Sequence, residues 1–319
     1  MIHEQISSNR LIHIFGHKNP DLDSYSSAYA YAQLLKQLKI TAKAFKLGEE
    51  NQETLFVLNK FNMKKLPFLN KLESKAQVIL VDHNDFSQSA PNIENSKIFE
   101  IIDHHRLTTK IKETVRTTIE PIGSTATIIY TLYKKYKLLP DKNSARLLLA
   151  AILSDTLILK SPTSTLKDKK ATKELADFLS IDYEQFGIEI LTAGTNIEGL
   201  SIENILKSDR KHYVFGTQKG SIANLNTLNI DKVLKRKELF ISALQKHMDA
   251  RNDDFAILLI SQILEKNCYL LVAEKNKLIH KSFSIPQGKQ GILLPGVISR
   301  KKQVVPQIEQ SLNKVLNYQ

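Results

Sequence analysis

Histidine and aspartate recur in four short stretches of this sequence, each behind an apolar run. "GHKNPDLD" supplies His17, Asp21 and Asp23, "VDHND" Asp82 and His83, "IDHHR" Asp103, His104 and His105, and "AILSD" Asp155. Several of these residues alone have an ordinary explanation, although a lone aspartate at 155, ending an apolar helical run, is hard to place. An aspartate after a strand commonly caps the next helix. Asp21 and Asp23 could be turn residues beside Pro20, and a lone histidine such as His83 is more often a surface or supporting residue than a ligand. Taken together, they point elsewhere. So many carboxylates in one place repel one another unless a cation lies between them. Mixed imidazole and carboxylate donors suit Mn, Zn, Fe or Co better than Ca or Mg. The set exceeds what one ion takes while leaving room for substrate, and two ions sharing a bridging carboxylate fit better. Such a pair, about 3.5–4 Å apart, can activate one water and hold both ends of a phosphoryl transfer.

For these residues to meet, the apolar runs must be neighbouring strands. "LIHIFGH" (11–17), "TAKAFKLG" (41–48), "QVILVDH" (77–83) and "IFEIIDHH" (98–105) read as strands, and continuous apolar runs imply cover on both faces. "SYSSAYAYAQLLKQLK" (24–39) reads as a helix between the first two. This rhythm predicts a parallel sheet with right-handed crossovers, whose carboxyl-end edge gathers the strand ends. Helical patterns follow over 124–137, 143–157 and 167–180, with Asp155 near the end of the second. "LTAGTNIEGL" concentrates Gly, Thr and Asn, so 192–200 reads as a linker. The fold class is therefore α/β, with a parallel-sheet domain over 1–191 and a smaller C-terminal α/β domain with a mixed sheet over 201–319. In the latter, 212–228 reads as a hairpin turning at Lys219-Gly220 and 231–251 as one long helix. Residues 255–264 and 268–276 read as strands joined at Lys266-Asn267, and about 303–316 as a final helix. No internal repeat or low-complexity segment interrupts the pattern.

The 319 residues, 42% of them hydrophobic, suffice for one large or two ordinary domains. No apolar run approaches the roughly 20 residues of a membrane-spanning helix, and "MIHEQISSNR" lacks the pattern of a secretory signal. Cys268 is the single cysteine, so no intrachain disulfide can form. A cytoplasmic, non-membrane protein is the expectation. The net charge of +12 suits an anionic partner or simply a lysine-rich surface, and without a basic tail or repeated basic block it does not argue for nucleic acid.

At "IDHHR" the sequence resembles the DHH phosphoesterase superfamily, and within it the family II, manganese-dependent inorganic pyrophosphatases. The resemblance spans nearly the whole chain: "GHKNPDLDS", "ILVDHND", "IIDHHR", "EPIGSTATIIY", "ILSDTLILKSPT" and "PGVISRKKQVVP". It implies that the N-terminal domain is a DHH domain and that two Mn²⁺ ions (Co²⁺ as substitute) bind there, with additional Mg²⁺ arriving with pyrophosphate. His17 and Asp21 would bind one ion, Asp23, His104 and Asp155 the other, and Asp82 would bridge them. His105 would act on the substrate as proton donor or phosphate contact, and with Asp21 it makes up the candidate catalytic pair. Asp103 would orient a ligand histidine, with His83 in a similar supporting place. Arg300, Lys301 and Lys211 would hold the phosphates, closing on the metals about the linker. "PDLD" has leucine where the family often has threonine, and "PIGSTAT" has serine where cysteine is common; neither is a proposed ligand. The glycine-rich "GGGH" type motif of the nucleic-acid-cleaving branches is absent, so neither nucleic acid nor a membrane is an expected partner. The competing expectations are a short-chain polyphosphatase, an oligonucleotide phosphodiesterase, or a basic nucleic-acid-binding protein with a degenerate site. No inserted regulatory domain is visible between 83 and 98. The family often forms homodimers through an edge strand, which "TAKAFKL" could supply.

Overall fold

The computed structural model describes residues 10–108, 114–297 and 299–316. Residues 1–9, where the sequence shows no signal pattern, and Ile298 of "PGVISRKK" lie outside them. The chain divides into two compact units, Met1–Gly194 and Thr195–Gln319.

The first unit runs β1 (Ile12–Phe15), α1 (Leu22–Gln37), β2 (Ala42–Phe45), α2 (Gln52–Lys60), β3 (Gln77–Val81), β4 (Lys97–Asp103) and β5 (Arg116–Ile119), followed by α3 (Thr125–Lys135), α4 (Lys142–Asp155), α5 (Leu166–Leu179) and α6 (Tyr183–Gly194). Its sheet has the order β2-β1-β3-β4-β5, parallel throughout. The whole of β3 is buried, as is β4 apart from Lys97, as continuous apolar runs require of strands covered on both faces. Two elements arise where the sequence shows none. β5, "RTTI", is too short and polar to stand out. α2, "QETLFVLNK", is set by its Asn51 cap, whose side chain accepts from the Thr54 amide. α6 continues to Gly194, so the first residues of the expected linker are helical. A side chain at 194 would meet Glu53 Oε1 at 2.3 Å, which makes glycine there a packing residue rather than a hinge.

The second unit runs α7 (Ile202–Ser208), β6 (Arg210–Phe215), β7 (Gln218–Thr227), α8 (Ile230–Leu234), α9 (Lys237–Arg251), β8 (Phe255–Gln262), β9 (Asn267–Glu274), α10 (Leu278–Phe283) and β10 (Gly291–Pro295). A π-helical turn at Arg300–Val304 then leads into α11 (Val305–Leu316). The sheet order is β10-β9-β8-β7-β6; β7 and β8 are parallel and the other pairs antiparallel, so the sheet is mixed as expected. Along β8, Ala256, Leu258 and Ile260 enter one core, and Phe255, Ile257 and Leu259 the other. The β6–β7 hairpin turns at Gly216-Thr217, not at Lys219-Gly220. Gly216 takes φ +58, open to glycine without steric cost. Gly220 lies within β7, where a Cβ would come 2.3 Å from the Phe255 carbonyl. The expected long helix is broken between α8 and α9. The β8–β9 connection occupies residues 263–266, with Lys266 at φ +56. Among the described residues no helix is long and apolar enough to cross a membrane.

Candidate metal centre

The strand ends and the end of α4 meet. His17 follows β1, Asp21 caps α1, and Asp23 lies in its first turn. Asp82 follows β3, His104 and His105 follow β4, and α4 ends on Asp155. Donor atoms of His17, Asp21 and Asp82 lie within 4.8 Å of one another, as do those of Asp23, His104 and Asp155. Asp82 joins the two groups. Its Oδ2 is 3.5 Å from His17 Nε2, and its Oδ1 is 3.5 Å from His104 Nε2. Each oxygen thus faces a different histidine.

The local sequence explains how each group is held. Gly16 leaves room for Ser24, whose Oγ would stand 1.8 Å from a Cβ there and accepts the His17 backbone N–H at 3.0 Å. Asp23 accepts from Ser124 Oγ (2.8 Å) and from the Thr125 and Ala126 amides (2.7 and 2.9 Å). This is the N-terminus of α3, where unpaired N–H groups and the helix dipole favour an anion. The His104 Nδ1–H donates to the Ile122 carbonyl at 3.1 Å, which leaves Nε2 bare toward the carboxylates. Asp82 has φ +58, a left-handed conformation costing roughly 1–2 kcal/mol for a residue with a side chain. It is fixed by its own N–H on the Ile102 carbonyl (2.9 Å) and by Thr125 Oγ1, which donates to Oδ1 (3.0 Å).

The electrostatics call for a cation. Burial pushes the Asp82 carboxyl well above the usual range, and the charges of Asp23, Asp21 and Asp103 push it further. Burial does the same to Asp155, reinforced by Asp23, Asp21 and Asp82. Burial also acts on Asp21, but its hydrogen bond and charge interaction with His17 outweigh it and hold that carboxyl low. The buried Oδ2 of Asp82 has no hydrogen-bond donor among the described residues. An unpaired buried oxygen costs about 1–3 kcal/mol, and a divalent ion would satisfy it. The oxygen and imidazole donor set fits a manganese-class ion.

Asp103 holds His105: its Oδ1 accepts from the His105 backbone N–H (3.0 Å) and from Nδ1 (2.9 Å). The Asp103 hydrogen bond raises the imidazole of His105. Buried His83 hydrogen-bonds the Val81 carbonyl at 2.9 Å and Ser89 Oγ at 3.1 Å, neither of them a ligand residue. Its imidazole is pushed down by burial to about 4, so it serves as a neutral prop for the loop. Sequence patterns missed Ser24, Ser124 and Thr125, although the small hydroxyl run "GSTAT" was the visible signal. They also missed Asn84, whose Nδ2 donates to Asp103 Oδ2 at 2.7 Å.

In the second unit, Lys211 is exposed on β6, paired in register with Ile222. Arg300 opens the π-helical turn and is largely buried. Its Nη1 donates to the Asp209 and Ile222 carbonyls (2.7 and 2.9 Å) and its Nη2 to Asp209 Oδ1 (2.7 Å). Arg300 and Lys211 are therefore neighbours, with much of the Arg300 fork held by Asp209; Lys301 is exposed beside it. His212, His247 and Asp253 form another group with metal-ligand types. There, however, Arg210 Nη1 stands 2.7 Å from His247 Nδ1, and Arg251 Nε 3.4 Å from Asp253 Oδ2. Two guanidinium charges oppose a cation at that place.

The chain matches the DHH family N-terminal domain over residues 11–152 and the DHHA2 domain over 188–311. The manganese-dependent inorganic pyrophosphatase of Bacillus subtilis is 38% identical over 92% of this chain and 96% of its own. An Exiguobacterium sp. relative assigned the same activity is 40% identical over 94% of this chain and 98% of its own. A solved Methanococcus jannaschii structure assigned to the family II inorganic pyrophosphatases has a TM-score of 0.66 at 35% identity, covering 95% of this chain and 99% of that one. An exopolyphosphatase-related protein of Bacteroides fragilis, 15% identical with a TM-score of 0.51, shares the fold. With its paired histidine–aspartate groups joined through Asp82, this chain belongs to the manganese-dependent, family II inorganic pyrophosphatases.

Proposed function

We propose that this protein hydrolyses inorganic pyrophosphate to two phosphates at a two-metal site. The observation that carries this is Asp82, whose oxygens each face one histidine and whose Oδ2 is buried without a donor among the described residues. His17 and Asp21 would hold one Mn²⁺, and Asp23, His104 and Asp155 the other, with Asp82 between them; Co²⁺ could replace Mn²⁺, and Mg²⁺ would accompany the substrate. When bound, such ions supply a water of lowered pKa and neutralise phosphate charge. Water adds to one phosphorus, and the bond from that phosphorus to the bridging oxygen breaks. His105, held through Nδ1 by Asp103, has its Nε2 available to give a proton to the departing phosphate. The hydrogen bond to Asp103 favours the protonated imidazole that this role needs. Lys211, Arg300 and Lys301 would bind phosphate oxygens, Arg300 through the N–H groups not given to Asp209 and Ile222, and the lysines as point charges. β2 is the outer strand of its sheet, and pairing of two such edges is the proposed route to a homodimer.

The test is phosphate release from pyrophosphate by the purified protein, Mn²⁺-loaded and then chelated, with tripolyphosphate and a short RNA as parallel substrates. Metal-dependent release from pyrophosphate with the RNA intact is expected. RNA cleavage without pyrophosphate hydrolysis would overturn the proposal and remove the roles given to Arg300 and Lys301.

A further inference from the structure

Asn84 is 2% exposed and lies in the loop after β3. Its Nδ2 donates to Asp103 Oδ2 (2.7 Å) and to the Arg106 carbonyl (3.1 Å). Its Oδ1 accepts from the Thr108 N–H (2.7 Å) and Thr108 Oγ1 (2.9 Å). A carboxamide offers two N–H donors and an oxygen with two lone pairs, and all four are engaged. Aspartate could not replace it: it has no donors and would face Asp103 with a like charge. One buried side chain thus ties the turn after β4 at Asp103, Arg106 and Thr108, on either side of His105.

The Arg106 main chain is fixed, while the residue is exposed and forms no ion pair among the described residues. It lines a cleft of about 340 Å³ with His17, Asp82, Asn84, His105 and Thr108. A guanidinium with no carboxylate partner among the described residues, on a clamped backbone beside the proposed metal ligands, is equipped to take phosphate oxygens by charge-assisted hydrogen bonds. The other proposed phosphate-binding cations, Lys211, Arg300 and Lys301, all belong to the C-terminal unit.

We infer that Arg106 is an anion-binding residue of the N-terminal unit, contacting a phosphate group in this cleft, and that Asn84 is the positioning residue that presents it. The inference rests on the pyrophosphatase function proposed above. The test uses the Mn²⁺-loaded full chain with Arg106→Ala, Arg106→Lys, Asn84→Ala and the Asn84→Ala/Arg106→Ala double variant. Calorimetric binding of orthophosphate and of imidodiphosphate, a slowly hydrolysed pyrophosphate analogue, is measured beside KM and kcat for pyrophosphate. Bound Mn²⁺ and melting temperature serve as controls.

Arg106→Ala should weaken imidodiphosphate binding about tenfold or more, the loss expected of one charged hydrogen bond, and raise KM more than it lowers kcat. Arg106→Lys should recover part of the affinity. Asn84→Ala should reproduce the binding loss and also lower kcat, because His105 loses its brace through Asp103. In the double variant the binding losses should fall short of their product, since one residue acts through the other. If Asn84→Ala does not fold, Thr108→Val, which removes one bond of the clamp, should show a smaller loss in the same direction. Binding within twofold of wild type in Arg106→Ala would overturn the inference, and independent multiplication of the two losses would overturn the positioning role. Wild-type protein that binds orthophosphate through Arg106 yet leaves pyrophosphate intact would overturn the proposed reaction and leave the anion site standing.

Discussion

Asp82 combines features that no stability argument would select together. It is a buried carboxylate among other carboxylates, it holds a left-handed backbone, and one of its oxygens lacks a donor among the described residues. Such strain persists where function requires it. Asp82→Asn separates the two demands. Asparagine tolerates the left-handed region and removes the buried charge, so the chelated variant should be more stable in urea by about 1–3 kcal/mol. Manganese affinity and turnover should fall together, turnover by about 100-fold or more, since even residues behind a metal ligand cost 10–100-fold. A chelated variant less stable than wild type, or one that keeps its manganese, would refute the bridging role. At this scale the sequence made the histidine and aspartate residues and their grouping legible. It could not reveal that Asp103 serves His105, or that Asp209 holds Arg300, because both are decided by side-chain direction.

At the scale of elements, the site depends on where helices begin and end. The N-terminus of α3 is held by buried Asp168, which accepts from the Gly123 N–H (3.0 Å), Thr127 Oγ1 (2.6 Å) and the Thr165 N–H (2.7 Å). The same N-terminus docks Asp23. Asp168→Ala should therefore lower stability by about 1–3 kcal/mol through stranded donors and weaken manganese binding in titration. Unchanged metal affinity would mean that Asp168 supports α5 alone. α4 ends just as specifically: after the Thr156 C-cap, Leu157, Ile158 and Leu159 take φ of 49, 55 and 61. A left-handed run of this kind costs roughly 1–2 kcal/mol per residue, and no glycine announces it. Ile158 is buried beside Gly187, where a Cβ would lie 2.7 Å from Ile158 Cγ1. Tertiary packing overrides local preference here, and the sequence accordingly read as helix as far as 157.

At the scale of the whole molecule, every proposed metal ligand lies in the unit Met1–Gly194. Metal held by the folded state alone stabilises it by about 4 kcal/mol at a thousandfold excess over Kd. Chelation should thus lower the calorimetric transition of the N-terminal unit and leave that of the C-terminal unit in place. If neither transition moves, the ligand assignment fails. What the sequence by itself determined is the α/β class, a parallel sheet whose strands feed one edge, and the histidine and aspartate groups expected there. Period, apolar runs and motif spacing are local properties that survive without coordinates. The tertiary structure decided the rest: the hairpin turn at Gly216, the left-handed end of α4, the dock of Asp23 on α3, and the Asn84 clamp on Arg106 and Thr108. These depend on contacts between segments far apart in the chain, where packing and buried hydrogen bonds outweigh local propensity.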